Sequence, residues 1–113
     1  MIDVSLLKVL FDDDGMIRKY LVVFRDDVPV SLLSLRDDIK NLDWDNASIT
    51  AHGLKSQLQY LKEESVSNLA YKIEKKCEEP SQIQAEEINI LFEKLSTAMD
   101  HIFTKIDSYL AEK

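Results

Sequence analysis

The residues best suited to chemistry in this chain are a histidine and a lysine in the run Ala51-His52-Gly53-Leu54-Lys55-Ser56. Residues three positions apart are neighbours on a helix surface, so His52 and Lys55 share one face if this segment is helical. An exposed imidazole is a nucleophile near neutral pH. A nearby ammonium offsets the charge of a phosphoryl group. The pair is therefore suited to accepting a phosphoryl group and passing it on.

Other kinds of site are not apparent in the sequence. There is no glycine loop for phosphate, no G-x-S-x-G nucleophile elbow and no Cys/His metal ligand set. The second histidine, His101, has Thr104 rather than a lysine three residues on, so we expect an ordinary surface histidine. Cys77 is the only cysteine and is expected to be structural. We therefore predict neither a metal nor a cofactor in this chain.

Size and charge limit the class of protein. The 113 residues are enough for one domain, covering 1–113, and a net charge of −7 disfavours nucleic acid and anionic membranes as partners. The longest apolar run, 20–24, is far too short to cross a bilayer. Because there is one cysteine and no visible secretory signal, we expect a cytoplasmic protein.

Composition and hydrophobic periodicity predict an all-α fold. Two glycines and two prolines are few for a sheet joined by tight turns. Apolar residues recur at helical spacing over about 3–11, 16–41, 43–61, 65–77 and 82–110, and the last segment follows a capping-box pattern at 81–84. Pro29 predicts a kink or break near residues 25–28. Short connections then favour an up-down-up-down four-helix bundle, with the short first helix capping one end.

Four apolar stripes should form the core of this bundle, and the stripe of the fourth helix is Val66, Leu69, Ile73 and Cys77. In the second helix the stripe is Ile17, Leu21, Phe24, Val28, Leu32, Leu35 and Ile39. In the third it is Ala47, Ala51, Leu54, Leu58 and Leu61. In the fifth it is Ile88, Leu91, Leu95, Ala98, Ile102, Ile106 and Tyr109. His52 lies opposite the third stripe and should point to solvent.

The run around His52 resembles the signature of the histidine-containing phosphotransfer (HPt) domains of two-component phosphorelays. That signature is an alanine, the phosphorylated histidine, a variable residue, leucine, lysine and usually glycine. The preceding run Asn41-Leu42-Asp43-Trp44 is similar to the Asp-Trp entry to the family's histidine helix, and Leu69-Ala70-Tyr71-Lys72-Ile73-Glu74 looks like its next helix. The likeness covers nearly the whole chain.

Three residues depart from the family pattern. Ser56 stands where a glycine usually leaves room for an incoming partner, and Gln59 stands where a small residue is common. Lys62 replaces a glycine that often ends the histidine helix. These departures leave the docking geometry and the end of the third helix open.

The resemblance implies a role for each matching residue. His52 would carry the phosphoryl group on Nε2, and Lys55 would stabilise the phosphoryl oxygens. Glu74 either orients the imidazole through Nδ1 or is a solvated helix residue, and the sequence leaves both open. The docking surface would lie on the exposed faces of the second and third helices and include Ser48, Ser56 and Gln59.

The expected function is that of a monomeric phosphocarrier rather than a turnover enzyme. It would accept a phosphoryl group from the aspartyl phosphate of one response-regulator receiver domain and deliver it to another. Magnesium would belong to the receiver, and a hybrid histidine kinase is a further candidate partner. One alternative is a helical docking module that binds a receiver or another protein without phosphotransfer. Another is a structural bundle with a metal or ligand in its core.

Overall fold

The computed structural model describes residues 1–79 and 85–112, and across them it contains five α-helices and no strand. The helices are α1 (Ser5–Leu10), α2 (Asp14–Lys40), α3 (Trp44–Tyr60), α4 (Glu64–Cys77) and α5 (Ala85–Ala111). The prediction of an all-α protein is confirmed. Within the described ranges, no helix is both long enough and apolar enough to cross a membrane. The capping box predicted at 81–84 lies outside the described residues.

Helices α2 to α5 enclose a single hydrophobic core in a particle measuring 49 × 22 × 19 Å. Helix α3 packs against both α2 and α4, and α5 also packs against α2 and α4. The short helix α1 packs on α2, where Leu7 joins the core together with Ile2 and Val4 from the segment before it. The exposed face of α3 is therefore flanked by α2 on one side and α4 on the other.

Helix α2 starts at an N-cap and continues through its proline. The side chain of Asp13 accepts a hydrogen bond from the backbone N–H of Gly15, and all seven residues of the predicted α2 stripe are buried. The helix is not interrupted at Pro29, so of the kink or break predicted near residues 25–28 the break is wrong. A proline removes one backbone hydrogen bond. Burial of Val28 and Leu32 on either side holds the helix together.

Helix α3 begins where the sequence predicts, and its end, which the sequence left open, is at Tyr60. Asp43 caps its start by accepting a hydrogen bond from the backbone N–H of Asn46, and the predicted stripe of α3 is fully buried. After the helix, Lys62 takes a left-handed conformation with φ of 54°, and the N–H of Glu63 donates to the carbonyl of Leu58. Lys62 thus makes the turn that a glycine usually makes at a helix C-terminus.

Helix α5 buries a wider surface than the predicted stripe. Phe92, Met99 and Phe103 are buried although the periodic pattern omitted them, whereas three residues of that pattern are only partly buried. Those three are Leu91, Ala98 and Tyr109. The buried face of α5, which packs against α2 and α4, is therefore not the single stripe that the spacing predicts.

Candidate functional site

His52 projects from the solvent face of α3, as the sequence predicts. Its side chain is 59% exposed, while its neighbours Ala51 and Leu54 are buried in the core. Beside it, Gly53 leaves the helix surface bare, and a Cβ added there would find no atom within 4 Å. One edge of the imidazole is therefore accessible to a reaction partner.

The other edge of the imidazole is held by Glu74 of α4. The His52 Nδ1 atom lies 2.8 Å from Glu74 Oε2. An ionised carboxylate only accepts hydrogen bonds, so Nδ1 must carry the proton. In the neutral ring, this leaves the Nε2 lone pair free on the exposed side. Glu74 is only 6% exposed, so the alternative that it is a solvated helix residue is wrong.

The electrostatics around Glu74 favour its ionised form. Burial by itself raises the pKa of this carboxyl group. The hydrogen bond from His52 and the positive charge of Lys55 outweigh that effect and hold the pKa below the ordinary value of 4.5. Glu74 is therefore a carboxylate at neutral pH and can orient the imidazole.

Lys55 lies closer to α4 than its place on the polar face of α3 suggests. Its side chain is 18% exposed, and its Nζ atom lies 3.4 Å from Glu74 Oε1 and 5.4 Å from the centre of the Tyr71 ring. The ammonium is paired by charge but forms no hydrogen bond to Oε1, which is buried and accepts none from the described residues. Glu74 thus connects His52 to Lys55 through its two carboxylate oxygens.

Two serine hydroxyl groups fix the register between α3 and α4 at this site. Ser67 Oγ donates to the backbone carbonyl of Lys55 at 3.1 Å, and Ser48 Oγ donates to that of Glu74 at 3.5 Å. Both hydroxyls therefore tie one helix to the backbone of the other. Ser48, expected on the docking surface, is half-buried and has this structural contact instead of a fully free hydroxyl.

The other two predicted docking residues remain accessible to different degrees. Ser56 is half-buried and Gln59 is exposed. Gln59 borders a cleft of about 280 Å³ between α3 and α4. The lining residues of this cleft are Lys55, Gln59, Glu64, Ser67, Asn68 and Tyr71. Of these, Glu64, Ser67, Asn68 and Tyr71 were not singled out from the sequence.

The remaining chemical groups lie apart from this site. His101 is an exposed residue of α5, which agrees with the expectation of a surface histidine. Cys77 is 2% exposed, and burial raises the pKa of its thiol to about 11. Such a thiol is a poor nucleophile at neutral pH. In the described part of the chain, no three His, Cys, Asp or Glu side chains are grouped to hold a metal ion.

Comparison of the chain with protein-family models, with curated proteins and with solved structures gave no match in any of the three. The functional assignment therefore depends on the geometry around His52 and on the motif resemblance described above.

Proposed function

We propose that this protein is a phosphocarrier of the HPt kind, which receives a phosphoryl group on Nε2 of His52 and passes it to a second acceptor. The observation that carries the proposal is the 2.8 Å contact between Nδ1 and a buried carboxylate, on an imidazole whose other side is open to solvent. This contact supports the tautomer in which Nε2 is the nucleophile. The sequence motif independently points to His52 as the phosphorylated residue.

The proposed transfer involves one bond formed and one bond broken. The Nε2 lone pair attacks the phosphorus of an aspartyl phosphate on a receiver domain. The phosphorus–oxygen bond breaks, and its electron pair returns to the receiver's aspartate carboxylate. The ring then carries a positive charge, with its Nδ1 proton hydrogen-bonded to Glu74. That charge-assisted bond stabilises the phosphorylated ring, and the reverse reaction restores neutral His52.

Lys55 has a supporting role in this scheme. Its ammonium is paired with the same carboxylate that holds the imidazole and lines the cleft beside it. From there it would offset the charge on the phosphoryl oxygens without covalent chemistry. Magnesium is expected on the receiver, where the aspartyl phosphate forms.

We also propose that α2 to α5 are arranged up-down-up-down, with α1 capping one end. Two contacts support alternating directions of these helices. Tyr20, near the start of α2, donates to the carbonyl of Gln57, near the end of α3, and Arg18 donates to the carbonyl of Leu110 at the end of α5. The three connections within the described residues are short, which is typical of antiparallel neighbours.

The exposed faces of α2 and α3 are suited to receiving another folded domain. Val23 and Val30 of α2 and Ile49 of α3 are exposed apolar residues on two helices that pack together. Val23 and Val30 are seven positions apart and so share one helix face. These residues, together with Ser56 and Gln59, form the proposed docking surface. One receiver domain would bind there to one monomer of this protein.

The second candidate function is a docking module without phosphotransfer. It is favoured by the position of Lys55, whose ammonium is mostly buried against Glu74 and Tyr71 rather than exposed beside His52. In that case the same α2–α3 surface would bind a receiver or another protein, and His52 would contribute only contact area.

The deciding experiment is phosphotransfer from receiver domains charged with radiolabelled acetyl phosphate. Wild type, His52→Gln and the matched control His101→Gln would be compared. We expect an acid-labile, base-stable label on wild type and His101→Gln, and none on His52→Gln. A receiver that binds the wild-type protein but never transfers label would favour the docking module.

A further inference from the structure

We infer that Tyr71 is a positioning residue that holds the ammonium of Lys55 beside His52 and Glu74; this inference rests on the proposed function. The Lys55 Nζ atom lies 5.4 Å from the centre of the Tyr71 ring, within the range of a cation–π interaction. Tyr71 precedes Glu74 by three residues on α4, so the ring and the carboxylate lie on one helix face. Both side chains therefore contact Lys55 from α4.

Lys55 needs such positioning because its other contact is loose. A lysine side chain is long and flexible, and at 3.4 Å its ammonium makes no hydrogen bond with Glu74 Oε1. The quadrupole of the ring gives the ammonium a second attractive surface without using any of its N–H donors. Those donors thus remain available for phosphoryl oxygens.

The ring also limits how tightly Lys55 can pair with Glu74. If the ammonium moved fully onto Oε1, it would withdraw charge from the carboxylate that polarises His52 Nδ1. If it moved into solvent, it would no longer meet the phosphoryl group. Tyr71 keeps the Lys55 ammonium at an intermediate position. There the ammonium can bind the phosphoryl oxygens and leaves the Glu74–His52 hydrogen bond intact.

A second lysine, Lys75, also lies over the Tyr71 ring but does not have the role inferred for Lys55. Lys75 Nζ lies 5.5 Å from the Tyr71 ring centre and 3.1 Å from Glu78 Oε2, to which it donates a hydrogen bond. Lys75 therefore donates a hydrogen bond to an acceptor of its own, whereas Lys55 has only the 3.4 Å charge pair with Glu74 beside the ring. Tyr71→Leu should consequently release Lys55 more than Lys75.

The test uses phosphoramidate as donor, because this small molecule needs no docking surface. Nε2 of His52 attacks the phosphorus, the phosphorus–nitrogen bond breaks, and ammonia leaves. We expect Tyr71→Leu to slow labelling about three- to tenfold, and Tyr71→Phe, which keeps the ring, to match wild type. Tyr60→Leu is the matched control, because Tyr60 is equally exposed but lies on α3 away from Lys55.

A double-mutant cycle separates positioning from a general structural effect. In a Lys55→Gln background, Tyr71→Leu should have no further effect on the labelling rate, because the group it positions is gone. Equal slowing in both backgrounds would overturn the inference. So would slowing by Tyr71→Phe that equals the slowing by Tyr71→Leu.

Nuclear magnetic resonance of the unphosphorylated protein keeps this test separate from the proposed function. The Lys55 ε-methylene protons should show an upfield ring-current shift that is lost in Tyr71→Leu and kept in Tyr71→Phe. If this shift is present but wild type takes no label, the proposed function fails while the Tyr71–Lys55 contact stands. If the shift is absent, the inference fails even if His52 is phosphorylated.

Discussion

Glu74 and His52 are 22 positions apart in the chain, and Glu74 Oε2 lies 2.8 Å from His52 Nδ1 across the α3–α4 interface. The carboxylate is buried while the imidazole is mostly exposed. A buried acceptor has few competing partners, so it imposes one tautomer on the ring that reaches it. This asymmetry makes one nitrogen of His52 a fixed donor and leaves the lone pair of the other unengaged by Glu74.

Replacement of Glu74 by glutamine should weaken the choice of tautomer. A glutamine amide both donates and accepts, so it can bond either form of the imidazole. In nitrogen-edited NMR at a pH where the ring is neutral, wild-type His52 should show a protonated Nδ1 and an unprotonated Nε2. Glu74→Gln should show an averaged pair of nitrogen shifts, and labelling by phosphoramidate should slow about tenfold.

His101 supplies the internal control for that spectrum. It is exposed on α5 and should give the same nitrogen shifts in wild type and in Glu74→Gln. An unchanged His52 spectrum in the variant would contradict the assignment of Glu74 as the group that orients the ring.

The free energy of unfolding should depend on pH through Glu74. Its pKa in the folded protein lies below the ordinary 4.5, so its carboxylate stabilises the fold above the unfolded pKa. That contribution is lost as pH falls through the lower, folded pKa. Urea titrations of wild type and Glu74→Gln should therefore differ most above about pH 5, and the difference should shrink toward about pH 3.

An exposed glutamate gives the comparison for this pH series. Glu93→Gln on α5 should differ little from wild type at any pH, because surface charges contribute little to stability. If the difference for Glu74→Gln stays constant down to about pH 3, the carboxylate is not stabilised in the fold.

The helices that the sequence predicts well are those with one buried face. Periodicity alone identified every buried position of the α2 and α3 stripes, because each helix presents one continuous apolar side. It failed on α5, where Phe92, Met99 and Phe103 are buried outside the predicted stripe and three residues of that stripe are only partly buried. The predicted break at Pro29 is wrong as well, because a local propensity cannot account for the tertiary packing that keeps α2 continuous.

Local spacing predicted only the part of the candidate site that lies on α3, and the family resemblance added Glu74 as one of two alternatives. The motif placed His52 on the solvent face, and it placed Lys55 three residues along the same helix. Periodicity contains no information on which residue of α4 lies opposite, so the burial of Glu74 and the contact of Lys55 with Tyr71 could not be obtained from spacing. Those depend on the register of two helices, which Ser48 and Ser67 help to set.

Glycine should stabilise the two turns that follow α2 and α3. Leu42 and Lys62 have φ values of 59° and 54°, a conformation that costs an L-residue about 1–2 kcal/mol. Glycine adopts it freely but loses more backbone entropy on folding, by about 0.5–1 kcal/mol. Leu42→Gly and Lys62→Gly should each raise the free energy of unfolding by about 0.5–1 kcal/mol in urea titrations.

Lys19→Gly tests whether any gain comes from the left-handed conformation. Lys19 is exposed in the interior of α2, where glycine should destabilise by about 1 kcal/mol. Loss of stability at positions 42 and 62, comparable to that at 19, would show that neither residue is strained.

Gly53→Ala should separate the stability of α3 from access to His52. Gly53 lies inside the helix with a negative φ, and an added Cβ would meet no atom within 4 Å. Alanine should therefore raise the free energy of unfolding by about 0.5–1 kcal/mol. The rate of labelling of Gly53→Ala by phosphoramidate should match that of wild type, because this small donor reaches Nε2 without covering the helix.

Transfer from a receiver domain to Gly53→Ala should slow several-fold, because the new methyl group projects into the proposed docking surface. Unchanged transfer would place the docking surface away from Gly53, and reduced stability would contradict a regular helix at this position.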